Sequence, residues 1–307
     1  MLSTTPDGGT AAGRLAPAAL VMATVAVSFS AIFNRLAPDG PATIVWVRMA
    51  ITVVVLLPFA LRDVRSGALP RSAADWMVVT LSGVLLAAHF LCWTASLRHT
   101  SVASSVLLVS LHPVLVAVLG RRLLGEAVSL RLVAGLALAL VGTVITAAGD
   151  LRVSREALGG DLLAIAGAVT FAGYLLVGRR VRSRYGAAGY SLPVYLVVAV
   201  VSLLVAPLSG SAVVPQPRTV LACLGLAVVC TVLGHTVFNW TLRHLRAVIV
   251  SFAFLGEPPI TALLAIPFLG ESPPPNAVAG GVAVLLGLGF ALTEPAPVSV
   301  AEEAAAQ

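Results

Sequence analysis

Lysine is absent from this chain, so all 19 cationic Lys+Arg residues among its 307 are arginine. Charge of either sign is scarce, at 10% of residues, with 13 Asp+Glu, and aromatics make up only 6%. The three cysteines, Cys92, Cys223 and Cys230, are odd in number, sit inside apolar runs and lack disulfide or metal-ligand spacing. They read as small packing residues, which excludes a disulfide framework and a cysteine metal site. No nucleophile with a neighbouring base, no metal-ligand cluster and no phosphate-cradling loop stands out, so the chain reads as no enzyme, with no cofactor and no metal. A basic domain is missing as well. The net charge of +6 therefore points to membrane topology and anionic lipid rather than to nucleic acid. Direct ATP drive is set aside for want of any nucleotide-binding segment.

What the sequence has in excess is apolar surface: 59% hydrophobic residues and a mean hydropathy of +1.01. Both lie far outside the range of soluble domains and define a polytopic membrane protein. A spanning helix needs about 20 mostly apolar residues. That ruler predicts ten of them, near 15–34, 41–61, 74–97, 101–120, 128–149, 159–178, 189–209, 218–242, 247–269 and 276–293. The breaks carry turn residues, as in Pro38-Asp39-Gly40-Pro41, Gly149-Asp150, Pro215-Gln216-Pro217 and Pro273-Pro274-Pro275. Barrel strands alternate apolar and polar positions, whereas Val106 to Leu119 and Leu132 to Ala148 are apolar on every face, so the fold class is all-α. Ala16-Pro17-Ala18 offers no convincing cleavage site, and the first apolar run reads as a helix rather than a removable signal. Residues from Glu294 onward form an Ala/Glu-rich tail.

The chain repeats itself at an offset of 145 residues. Leu97-Arg98-His99 recurs as Leu242-Arg243-His244, and without a gap Pro113 falls on Pro258, Gly125-Glu126 on Gly270-Glu271, Gly135 on Gly280 and Gly142 on Gly287. A duplicated architecture follows: an N-terminal tail 1–14, a first five-helix repeat 15–149, a second 150–293, and a C-terminal tail 294–307. Arginine sets the orientation. With the N-terminus cytoplasmic, thirteen arginines, among them Arg62, Arg65, Arg121, Arg122, Arg179 and Arg180, fall on that side. Only five fall opposite: Arg35, Arg98, Arg152, Arg155 and Arg218. Five helices is an odd number, so the second repeat enters the bilayer inverted and both termini are cytoplasmic, in the cell membrane. Inverted repeats are a frequent basis of alternating access around a central site.

The run from Leu107 through His112-Pro113 to Leu123-Leu124-Gly125-Glu126, followed by Gly135 and Gly142, resembles the helix 4 to helix 5 signature of EamA-type members of the drug/metabolite transporter superfamily. Its second copy, Leu255-Gly256-Glu257-Pro258-Pro259 through Gly270-Glu271 with Gly280 and Gly287, is similar to the same signature in the family's second half. Arg48-Met49-Ala50 also resembles the arginine step of the family's second helix. The resemblance covers nearly the whole chain. It implies a ten-helix transporter of small metabolites or drugs, commonly an exporter, without specifying one substrate.

Polar groups inside apolar helices are costly and mark function by default. Glu257 and His112 occupy equivalent repeat positions, each just before a proline, and are expected to face one central cavity at similar depth. Glu257 is read as a proton carrier, or else as a structural carboxyl bonded to backbone that Pro258 and Pro259 free. Together with Pro113 these prolines are the expected helix breaks. His112 is a proton acceptor or substrate ligand, against a neutral histidine bonded within the bundle. Arg48, seven residues into helix 2, receives a substrate carboxylate or else pairs with a neighbour or reaches the interface. His89 and Trp93 share a face of helix 3, and helix 8 offers His235, Asn239 and Trp240, with His235 one position out of register with His89. Trp93 and Trp240 line the cavity or anchor at the interface. Glu126 and Glu271 fall at helix ends and read as caps or loop contacts. The expected function is proton-coupled export of a small amino-acid-like metabolite or drug by alternating access. Its partners are the small-molecule substrate, protons and membrane lipid, with room for a homodimer. An uncoupled facilitator or a non-transporting receptor or scaffold is the alternative.

Overall fold

The computed structural model of the protein describes residues 11–65, 70, 72–100, 102–126, 128–148, 155–181, 185–269 and 275–292. Residues 1–10 of the expected N-terminal tail, the expected tail 294–307, the break at Gly149-Asp150, Pro273-Pro274, Gly270-Glu271 and the arginines at 71, 152, 182 and 184 lie outside them. Among the described residues the chain is helical, with no strand. Eight helices among the described residues are long and apolar enough to cross a membrane: α1 Gly13–Leu36, α2 Pro41–Asp63, α3 Ala73–His99, α4 Ser104–Leu124, α6 Ala157–Val181, α7 Ala187–Leu208, α8 Pro217–Thr241 and α9 Ala247–Leu264. Two shorter apolar helices, α5 Leu130–Thr146 and α10 Pro275–Ala291, accompany them.

The distribution of side chains is that of a membrane bundle, with apolar residues outside and polar ones within. Leu130 is 84% and Leu208 86% exposed, whereas Arg48 is 3% exposed and Ser82, Thr231 and Asn239 are fully buried. Tyr174, Tyr190, Tyr195, Phe171 and Phe238 are the bulkiest members of the central core. The most extensive helix pairings keep their pattern when the two halves are exchanged. Helix α3 packs on α6 as α8 does on α1, α3 meets α7 as α8 meets α2, and α4 meets α6 as α9 meets α1. Three further pairs, α2 with α7, α4 with α9 and α5 with α10, map onto themselves.

The α5–α10 crossing rests on glycine. A Cβ placed on Gly135 would lie 2.7 Å from the Gly287 carbonyl oxygen, and one on Gly142 would meet the Gly280 carbonyl and sit 2.8 Å from the Val284 amide nitrogen. Gly135 is the repeat equivalent of Gly280 and Gly142 of Gly287, so each glycine touches the equivalent of its neighbour rather than its own. The contact is therefore crossed with respect to the duplication. Lipid supplies no hydrophobic drive for helix association, so close backbone approach is what holds this pair.

Among the described residues four spanning helices are irregular: α1 passes through a turn at Ser28 and Phe29, and the other three break for local reasons. Helix α4 stops at Val109 and restarts at His112, with Ser110 and Leu111 in a turn. Pro113 has no amide hydrogen to offer the Val109 carbonyl four residues back, and the His112 ring supplies the missing donor, Nδ1 to oxygen at 2.8 Å. Helix α9 narrows to a 3-10 turn at Phe254–Gly256, immediately before Glu257, Pro258 and Pro259 restart the helix. In α8, Leu226–Thr236 forms a π-helix where a plain helix was expected from the apolar run. Two hydroxyls reach back five residues, Thr231 to the Leu226 carbonyl at 2.9 Å and Thr236 to the Thr231 carbonyl at 3.1 Å, and wedge the turns open.

Candidate functional site

The irregular stretches of α4, α8 and α9 converge with α3 and α6 on a cluster of aromatic rings. Phe171 of α6 stacks on His89 with centroids 4.4 Å apart and meets His112 edge-on at 4.9 Å and Phe254 at 5.0 Å. His235 contacts Phe90 at 5.2 Å and Phe254 at 5.8 Å. Phe254 also lies 5.8 Å from His112, which closes the ring of contacts. Three of the histidines expected from the sequence thus come together around phenylalanines that the sequence did not single out. Among the described residues no group of three or more His, Cys, Asp and Glu is arranged to hold a metal ion.

Arg48 joins the cluster from α2. Its guanidinium carbon lies 4.6 Å from the centre of the Phe90 ring, and Nε donates to the Thr231 hydroxyl at 2.7 Å, on the π-helical stretch of α8. Its Nη2 is buried without a hydrogen-bond partner. An ionised group with an unspent donor in a dry bundle is expensive. The second orphan is Nε2 of His112, buried and unbonded although the Ser251 backbone lies close enough to act on the ring. Because Nδ1 of His112 must donate to the Val109 carbonyl, the neutral ring turns a lone pair outward from Nε2. One unspent donor and one unspent acceptor therefore stand in the same aromatic cluster.

Glu257 stands at the first position of the restarted α9 segment, three residues after Phe254. It is half-buried and makes no hydrogen bond or ion pair among the described residues, while its charge and that of Arg48 act on each other through space. No ring or hydrogen-bond contact joins it directly to His112. Its surroundings on the helix are set by Gly256, which packs against Thr24 of α1 and Leu288 of α10. Trp93 is buried and lies parallel to His89 at 6.5 Å, on the outer flank of the cluster. His89 itself is tethered to α6 through Nδ1 and the Gly167 carbonyl, at 2.9 Å.

Asn239 and Trp240 take other places. Asn239 accepts from the Tyr174 hydroxyl at 2.6 Å and donates to Ser191 at 3.0 Å, tying α6, α7 and α8 together. Trp240 packs against His244 at 4.6 Å near the end of its helix. His235 is not the counterpart of His89: that place belongs to Gly234, which packs against Val27 and the Ala23 carbonyl of α1 as His89 packs against Gly167 of α6.

The two ends of the bundle are tied by charge. Gly125, at φ +67°, adopts the left-handed turn that glycine permits, and it delivers Glu126 to the start of α9. Both Glu126 carboxylate oxygens accept from the Ala247 amide, at 3.1 and 2.9 Å, and Oε1 also accepts Arg179 Nε at 2.9 Å. Arg179 Nη1 in turn donates to the Leu242 carbonyl at 2.7 Å. The Glu126 carboxylate thus joins α4, α6 and α9. At the opposite end, the buried Asp39 carboxylate accepts from the Gln216 backbone amide at 2.7 Å and its side-chain amide at 3.1 Å. Burial opposes the Asp39 charge, but the Gln216 amide and the Thr219 hydroxyl outweigh it and hold the carboxyl below its ordinary range.

An all-helical bundle that spans a membrane and keeps an arginine and three histidines in its dry interior is a solute-transporter architecture. The EamA-like transporter family model matches residues 15–148 and again 158–293, and the chain belongs to that family. An uncharacterised transporter of Archaeoglobus fulgidus is 28% identical over 279 residues, covering 88% of this chain and 94% of that protein. A Streptantibioticus cattleyicolor protein named "Probable terminal-alkyne amino-acid exporter" is 25% identical over 279 residues, 88% of this chain and 90% of its own. A crystal structure shares the fold with a TM-score of 0.75 at 21% identity, over 92% of this chain and 99% of that one. The protein is therefore a multi-pass membrane transporter and not an enzyme, and the family domain occurs in it twice, as the resemblance implied.

Proposed function

We propose that the protein is a secondary active, proton-coupled exporter of a small amino-acid-like metabolite or drug, working across the cytoplasmic membrane by alternating access. The observation that carries this reading is the pair of unspent polar atoms in the aromatic cluster, Nη2 of Arg48 and Nε2 of His112. A carboxylate would satisfy the guanidinium, a protonated nitrogen would satisfy the imidazole, and the surrounding rings suit an apolar side chain. The name of the Streptantibioticus relative agrees with a substrate that carries both groups. A carboxylate such as Glu257, unpaired inside a bundle, is most stable when a proton or a substrate cation neutralises it. Proton and substrate then take turns at the site.

The ten apolar helices form two five-helix repeats, 15–149 and 150–293, inverted with respect to each other. The most extensive helix pairings, which persist when the halves are exchanged, and the crossed glycine contacts of α5 and α10 support this reading. With both termini cytoplasmic, reporter fusions after Asp150 and after Gln307 should report opposite sides of the membrane. Two cytoplasmic signals would end the inverted arrangement.

The functional test uses the purified protein in sealed vesicles and a screen of amino acids, nucleosides and cationic dyes. A transported compound should move protons in the opposite direction when added to one side. Transport of any of these compounds with no accompanying proton movement would replace the exchanger with an uncoupled facilitator.

A further inference from the structure

Away from the central cluster, a cavity of about 410 Å³ opens between the Arg98 end of α3 and helices α2, α6 and α7. Its apolar walls include Leu91, Cys92 and Ala95 on α3, Leu163 on α6 and Val205 on α7, and Arg98, His99, Ser209 and Ser211 supply its polar lining. Leu162 beside it on α6 is 60% exposed, and Leu204 and Leu208 on α7 are 65% and 86% exposed. The crevice thus shares its rim with surface that faces hydrocarbon in a membrane, while its cation sits where that helix ends.

Among the described residues Arg98 has no anion of its own. Nη2 donates at 2.7 Å to the backbone carbonyl of Asp39, a neutral oxygen, and Arg98 forms no ion pair among the described residues. The Asp39 carboxylate is turned to Gln216, and Asp161 on this face is engaged by the Thr100 hydroxyl at 2.7 Å. The carbonyl contact fixes one nitrogen of the guanidinium and leaves the others to offer a fork to a phosphate. An apolar crevice beneath a cation that no described residue compensates matches one kind of molecule at both ends.

We propose that this crevice is a binding site for an anionic phospholipid, with the phosphate on Arg98 and an acyl chain along Leu91, Cys92, Leu163 and Val205. A zwitterionic lipid fills the same apolar walls but brings a compensating cation to the guanidinium, and a free phosphate leaves the walls empty. The proposal is independent of what the central cluster carries and of which way the bundle is oriented.

Cys92 makes the site measurable without engineering, because it lines the crevice and is half-buried whereas Cys223 and Cys230 are fully buried. The full chain in detergent micelles is titrated with phosphatidylglycerol or phosphatidylcholine, and maleimide attachment at Cys92 is followed over time by peptide mass spectrometry. Phosphatidylglycerol should slow attachment about fivefold more than phosphatidylcholine, the effect of one interfacial arginine. Arg98→Gln should erase that difference while keeping the phosphatidylcholine rate, which also reports that the crevice is intact, and Arg98→Lys should retain part of it. Equal slowing by both lipids, slowing by neither, a difference that survives in Arg98→Gln, or full protection by glycerol phosphate alone would each overturn the proposal.

Discussion

Gly142→Leu should prevent the bundle from assembling, whereas Gly289→Leu on the partner helix should be tolerated. At Gly142 the first carbon of any side chain already meets the Gly280 carbonyl and the Val284 amide, both of them backbone. Backbone cannot rotate aside as a flexible side chain would. The helices must separate, and separation opens the Gly135–Gly287 contact as well, since one crossing holds both. Overpacking a tight core costs about 1–3 kcal/mol, and loss of the whole crossing adds to that in a membrane, where packing is the main force between helices. Gly289 has nothing within 4 Å of its Cβ, so the same leucine there only adds lipid-facing surface. The measurement is the monodisperse fraction and melting midpoint in detergent. Equal behaviour of the two variants would mean that α5 and α10 do not cross this closely.

The glycines at 135, 142, 280 and 287 were visible in the sequence as a duplication, because identical residues at a fixed offset need no structure to be seen. Which of them touch was not visible, because partner choice depends on the direction of two helices at their crossing. Eight of the ten expected spans were likewise legible, since a dry bilayer enforces long apolar runs and turn residues punctuate them, whereas α5 and α10 are shorter than the runs 128–149 and 276–293 suggested. The interruption of α4 could be read from Pro113, whose missing hydrogen is a local property, but the capture of the Val109 carbonyl by His112 could not. The π-helix of α8 has no apolar period to announce it. Thr231 and Thr236 are five apart, a spacing that carries meaning only once both hydroxyls are seen to bond backwards. Phe90, Phe171 and Phe254 were silent for a related reason: an aromatic in an all-round apolar run has no face to declare. Asn239 stood out as polar, yet its partners on α6 and α7 lie 65 and 48 residues away, and distance along the chain hides such pairings. Glu126 was read as a cap or loop contact at a helix end; its carboxylate meets the first amide of α9, and its ion pair with Arg179 of α6 is a longer-range addition.

Glu257→Gln should leave the protein folded and uncouple it from protons. Glutamine keeps the length and hydrogen-bonding capacity of glutamate but cannot titrate, and the native carboxylate makes no bond among the described residues that the amide would break. In vesicles with the outward-facing side one pH unit more acidic, a one-for-one exchanger can sustain a substrate gradient of about tenfold, equivalent to about 1.4 kcal/mol. The wild type should approach that ratio. The sign follows from loading: a proton taken up on the acidic side and released on the other returns the carrier ready to accept substrate inside, so acid outside drives export and the reversed gradient drives uptake. In Glu257→Gln the ratio should fall to about one in either gradient, while exchange of labelled for unlabelled substrate persists because Arg48 and His112 still bind it. His112→Ala provides the contrast, since losing Nε2 removes a substrate contact as well as a proton acceptor and should weaken exchange itself. If both variants accumulate substrate with unchanged dependence on pH, the proton travels by another route and Glu257 is a structural carboxyl.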